Sequence, residues 1–168
     1  MDVSTPSYIL GDLRIGEIVQ LFRSKSYERY SITRVKTLSD RRPASVWQAA
    51  ISTFREPIVA KVLTYTDDIR ATVRIWLQEI RIHSKIGSDK YQTIVQLLGV
   101  NARIYTFYME AIQVSSLGDK NFRDYHGHFS STNNNAERVL NDMVSALSWV
   151  HGLGVVHNDI KPANILFS

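Results

Sequence analysis

A chain of 168 residues can bury roughly 70% of the surface its unfolded form would expose, which suits one compact domain or two small lobes without staples. It contains no cysteine, which excludes disulfides, iron–sulfur clusters, thiolate zinc and a cysteine nucleophile, so any chemistry rests on oxygen and nitrogen groups. The net charge of +4 comes from Lys and Arg interspersed with Asp and Glu, the pattern of a solvated surface and not of a nucleic-acid footprint. No run approaches the roughly 20 apolar residues of a membrane span, and the start, MDVSTPSYILGDLRIG, lacks the basic-then-apolar order of a signal peptide. The expectation is a cytoplasmic or nuclear protein with no membrane or nucleic-acid partner, its oligomeric state left open.

In chain order, Ile15, Ile18, Val19, Leu21 and Phe22 predict a leading helix within an N-terminal extension, residues 1–29. Short runs rich in β-branched and aromatic residues then predict five strands, at Tyr30 to Leu38, Val46 to Ile51, Ile58 to Leu63, Ile94 to Leu98 and Ile104 to Met109. One helix interrupts them: Ile69, Val73, Trp76, Leu77 and Ile80 fall at helical spacing behind Asp67 and Asp68, which favour a helix start. Asp124 to Asn135 reads as a polar loop. A second helix follows on Val139, Leu140, Met143, Val144, Leu147, Val150 and Leu153, with Asn134 and Glu137 spaced as a capping box and Gly152 and Gly154 as stops. The order is a strand-rich lobe with one helix (residues 30–110), then a connecting segment and the start of a helical lobe (111–168), an α+β arrangement.

Two groups of residues bear chemistry. Lys61 is the one charge in Pro57-Ile-Val-Ala-Lys-Val-Leu63, and a buried ammonium is costly unless paired. Glu79 on the inserted helix is the candidate partner; the alternative is a Lys61 that reaches out to solvent past an exposed Glu79. The second group is His157-Asn158-Asp159-Ile160-Lys161-Pro162-Ala163-Asn164, a polar run flanked by apolar residues on both sides. His126 and His128 lack a third ligand nearby and read as part of the polar loop.

This second run resembles the catalytic loop of the eukaryotic-type protein kinases, of serine/threonine type because a lysine follows the aspartate two residues on. The likeness runs from about Tyr30 to the last residue, with Ile58-Val-Ala-Lys61 similar to the third-strand lysine motif and Gln78-Glu79-Ile80 similar to the C-helix glutamate. The resemblance implies a protein-kinase-like α+β fold with a five-stranded antiparallel N-lobe, one C-helix and the start of a helical C-lobe. It implies ATP and Mg²⁺ as nucleotide and cofactor, and a protein hydroxyl as substrate. Asp159 would accept the hydroxyl proton, Lys161 would neutralise charge on the transferred phosphate, and Asn164 would offer an oxygen to Mg²⁺. Lys61, Glu79, Val46, Ala60, Met109, Glu110, Ile112, Asn164 and Leu166 would form the nucleotide site, with Met109 as gatekeeper and the backbone of Glu110 and Ile112 facing adenine.

Three departures qualify that implication. Ser39, Arg41 and Ala44 stand where the family's phosphate loop has glycines, and Arg41, Arg42 and Pro43 give it a charged, stiff tip. Asn158 stands where many members carry an arginine that receives a phosphorylated residue. The sequence stops at Ser168 before any D-F-G, activation segment or A-P-E, so the expectation is a fragment of a kinase, with a catalytically inactive kinase-like binding module as the alternative.

Overall fold

The computed structural model describes residues 10–23, 26–41, 43–64, 68–87 and 93–167. They belong to two compact units, Met1–Arg81 with Gln96–Ala111 and Ile82–Val95 with Ile112–Ser168. Arg42, Asp67 and Ser168, which figure in the sequence reading, lie outside the described residues.

The first unit is an antiparallel sheet built on alternation. Its strands are β1 (Ile18–Phe22), β2 (Arg29–Arg41), β3 (Ala44–Ile51), β4 (Ile58–Leu63), β5 (Leu97–Asn101) and β6 (Thr106–Glu110), in the spatial order β1-β2-β3-β4-β6-β5. Six strands stand where five were expected, because residues 18–22 pair with Arg29–Thr33 and do not form a leading helix. Gly16, at φ +83°, turns the chain into β1 in a conformation that glycine adopts without strain. The fourth expected strand is shifted: β5 begins at Leu97 and runs through Gly99 to Asn101, since its register is set by β6, with Leu97 opposite Met109 and Asn101 opposite Thr106.

Period-two alternation in β4 separates two faces. Ile58, Ala60 and Val62 turn to one side and join Trp47, Ile32, Tyr30 and Tyr108, with Leu10 and Leu13 of the leading segment completing that core. Lys61 and Leu63 turn to the other, where Leu63, Phe107 and Trp76 form a second buried cluster. Trp76 belongs to α1 (Ile69–Ile86), which starts where Asp68 Oδ1 accepts from Arg70 N at 2.8 Å. The buried line of α1 is Thr72, Trp76 and Ile86, whereas Ile69 and Leu77 of the expected stripe are exposed.

In the second unit α2 (Asn133–Gly152) is capped by Thr132, whose side chain accepts from Asn135 N, so the expected Asn134–Glu137 capping box is not the cap used. Gly154, at φ +67°, closes the helix, its N–H donating to His151 O at 2.8 Å. Within this unit the Trp149 indole donates to Ile86 O at 3.1 Å. A short ladder, β7 (Ser115–Ser116) with β8 (Leu166–Phe167), ties the segment before α2 to the segment after it. No helix among the described residues is long and apolar enough to cross a membrane.

Candidate functional site

In the first unit, β4 and α1 bring Lys61 and Glu79 together: Lys61 Nζ lies 2.7 Å from both carboxylate oxygens. The two side chains are 29% and 26% exposed, so the ammonium is neither reaching for solvent nor sealed away. It also sits 5.9 Å from the centroid of the Phe107 ring, whose π face favours a cation. Directly across the ladder from Lys61 stand Val46 on β3 and Phe107 on β6, and Met109 faces Val59. Residues opposite each other in register share a face, so Val46, Val59, Lys61, Phe107 and Met109 line one surface. Ala60 does not. It is fully buried on the reverse face against Trp47, a one-residue offset that transfers a strand side chain to the other side, and Val59 occupies the place beside Lys61 that was expected of it.

Glu110 is held by Gln96: its N–H donates to Gln96 O at 3.1 Å and its carboxylate accepts from Gln96 N at 2.7 Å. The N–H and side chain of this residue are therefore both committed to Gln96. Just before Met109, the Tyr108 hydroxyl lies 2.7 Å from that of Tyr30, which also accepts from Asn101 Nδ2. Burial, reinforced by the neighbouring Tyr30, pushes the Tyr108 phenol far above its ordinary range, so it serves as a neutral hydrogen-bonding strut.

In the second unit the polar run is a built loop. Asn158 has φ 59°, a left-handed conformation that asparagine tolerates better than most residues. Beyond it Asp159 becomes an acceptor hub: Lys161 Nζ lies 2.9 Å from both of its carboxylate oxygens, and Asn164 Nδ2 donates to its Oδ2 and its carbonyl, each at 2.9 Å. Hydrogen bonding from Lys161, then from Asn164, holds the Asp159 carboxyl below its usual value of 3.8 and keeps it ionised. His157 Nδ1 accepts from Asp159 N at 3.3 Å, a shaping contact and not a reactive one. These side chains are solvent-facing, Asp159 61% and Lys161 50% exposed, so the pair adds little to stability.

The loop is held by packing that the sequence reading missed. A one-turn 3-10 helix, Pro162–Asn164, orients Asn164, and Leu117 N donates to Ile165 O at 2.8 Å just before β8. Gly118 lies so close to this turn that a β-carbon there would stand 3.0 Å from Ala163 Cα. Only the glycine itself, among polar neighbours, hinted at this contact. Leu166 in β8 and Ile112 are each 40% exposed. Among the described residues no three His, Cys, Asp or Glu side chains converge on a metal position, and His126 and His128 only decorate the turn in which Asp124 accepts their N–H groups at 2.9 and 2.8 Å.

What the two sets of residues can do is bounded by their groups. Lys61 offers a positioned cation and Asp159 an ionised base. Asn164, with its amide nitrogen committed to Asp159, leaves its amide oxygen for a ligand. Comparison with known proteins matches residues 32–168 to the family described as Protein kinase domain. The chain is 33% identical over 78 residues to "Serine/threonine-protein kinase H1 homolog" of Pinctada fucata, covering 46% of this chain and 18% of that protein. It is 29% identical over 124 residues to "CBL-interacting protein kinase 19" of Oryza sativa subsp. japonica, covering 73% and 23%, and 30% identical over 88 residues to "Myosin light chain kinase A" of Dictyostelium discoideum, covering 52% and 28%. It thus matches between 18% and 28% of these relatives' length.

Proposed function

The chain belongs to the protein kinase domain family, and from that premise we propose that it carries the nucleotide-binding and catalytic-loop parts of a protein serine/threonine kinase. The observation that carries this reading is the Asp159 hub. An ionised carboxylate, oriented by Lys161 and Asn164, is what phosphoryl transfer asks of the group that takes the substrate hydroxyl proton. Lys161 stands within reach of the same position and offsets charge on the phosphate in flight. In the first unit Lys61, aimed by Glu79, holds the nucleotide phosphates, while Val46, Val59 and Met109 give the adenine an apolar surface. Asn164 would help to hold Mg²⁺, which when bound would supply neutralisation of the phosphate charge. The Asn164 amide nitrogen is committed to Asp159, and its oxygen is a hard donor of the kind that ion takes.

A second reading, a kinase-like module that binds partners without transferring phosphate, draws on the non-glycine residues Ser39, Arg41 and Ala44 in the phosphate-facing hairpin. Nucleotide titration followed by melting temperature tests the first reading. ATP at about 100 times its dissociation constant should add about 2.7 kcal/mol to stability. At roughly 2–4 °C per kcal/mol for a chain of this size that is about 5–11 °C, and Lys61→Met should remove it. An equal shift in wild type and Lys61→Met would count against nucleotide binding at this site.

A further inference from the structure

The phosphate-facing hairpin is shaped by a buried arginine. Asp40, near the tip of β2, lies six residues beyond Arg34, a separation of about 20 Å in a flat strand. Yet Arg34 Nη2 donates to Thr37 Oγ1 at 2.9 Å and reaches Asp40 Oδ2 at 3.5 Å. The pairing register explains how. Against β3 it slips between Arg34 and Lys36 and again between Thr37 and Ser39, which leaves Val35 and Leu38 as bulges, 44% and 50% exposed. Two bulges three residues apart bend and twist the strand toward Arg34.

Arg34 is itself fixed from the other side. It is 5% exposed, its Nη1 donates to Leu13 O at 2.8 Å, its guanidinium lies 5.7 Å from the Trp47 ring, and its own carbonyl accepts from Gly16 N at 2.8 Å. Leu10 and Leu13 seat that leading segment in the core. The far end of the hairpin is pinned where Pro43 O accepts from Thr64 N at 2.8 Å, next to β4 and three residues from Lys61.

We propose that Arg34 is a positioning residue that sets the curl of the β2–β3 hairpin beside Lys61, replacing through its side chain and the segment Leu10–Gly16 what glycines supply elsewhere; this rests on the nucleotide reading above. The segment lies outside the matched residues 32–168, yet Leu10 and Leu13 are buried in the core of this unit and Leu13 O holds Arg34, so on this proposal it is a working part of the nucleotide-binding unit.

The test uses the full chain in two variants. Thr37→Val/Asp40→Ala cuts the clasp at its open end while Arg34 stays on Leu13 O; Arg34→Met removes the guanidinium and keeps its stem over Trp47. Amide hydrogen exchange should quicken about tenfold, the equivalent of one charge-assisted hydrogen bond, at residues 39–41 and 44–46 and stay unchanged at 58–63 and 106–110. ATP affinity should weaken several-fold in both variants while Asp159-dependent turnover at saturating ATP is retained. Unchanged hairpin exchange in both variants overturns the clasp. A wild-type chain that binds no ATP overturns the nucleotide reading instead, and the exchange result distinguishes the two.

Discussion

Replacing Glu79 by Gln removes the carboxylate partner of Lys61 and leaves the ammonium facing Phe107. At the observed 2.7 Å an effective dielectric of about 20 gives an attraction of roughly 6 kcal/mol, most of which offsets the desolvation of both ions. Exposed pairs are worth about 0–1 kcal/mol, and breaking a sealed pair costs about 3–5. With the two side chains 29% and 26% exposed, the expected cost of Glu79→Gln is about 2 kcal/mol, or a melting temperature lower by about 4–8 °C. The assay is a double-mutant cycle by thermal melting: Glu79→Gln, Lys61→Met and the pair. The double variant should cost about 2 kcal/mol less than the sum of the single ones. Additivity within about 0.5 kcal/mol would refute the ion pair as an energetic unit and leave it as mere proximity.

Gly118→Ala places a β-carbon against Ala163 backbone; melting should show a loss of about 1–3 kcal/mol, with amide shifts in residues 161–165 by NMR. Asn158→Gly should be tolerated and Asn158→Val should cost about 1–2 kcal/mol, because only the first accepts φ 59° without strain. The Asp159 carboxyl titrates below its ordinary value, so the native state binds fewer protons than the unfolded chain near pH 3.8; the stability it contributes is full above that pH and fades as pH falls through the lower native value. Lys161→Met should raise the Asp159 titration toward the ordinary value, read by carbon-detected NMR, and an unmoved midpoint would contradict the assignment of Lys161 as its main partner.

How much of this could be read from the sequence depended on whether the signal was local. The polar run from His157 to Asn164 was legible because its groups lie within eight residues, Lys61 because it is the lone charge in an apolar strand, and Glu79 because it is the one acidic residue in α1. The leading strand was not, since Ile15, Ile18, Val19, Leu21 and Phe22 fit either period until pairing with Arg29–Thr33 decides between them. The bulges at Val35 and Leu38 hid the 13-residue length of β2, because each resets the alternation on which a strand is recognised. Ala60 went to the wrong face for a related reason: in a strand buried on both sides, the residue types Val, Ala and Val carry no mark of which side they face. Arg34 was invisible as a structural residue because one of its partners is a backbone carbonyl, that of Leu13, 21 residues away.

The central claim is that Asp159 is the base of a phosphoryl transfer, and transfer itself tests it. The protein carrying this chain, supplied with labelled ATP, Mg²⁺ and a generic protein substrate, should place label on serine or threonine. Asp159→Ala should abolish that label while ATP binding persists. Labelling at an unchanged rate in Asp159→Ala, or none from the wild-type protein at saturating ATP, would contradict the account.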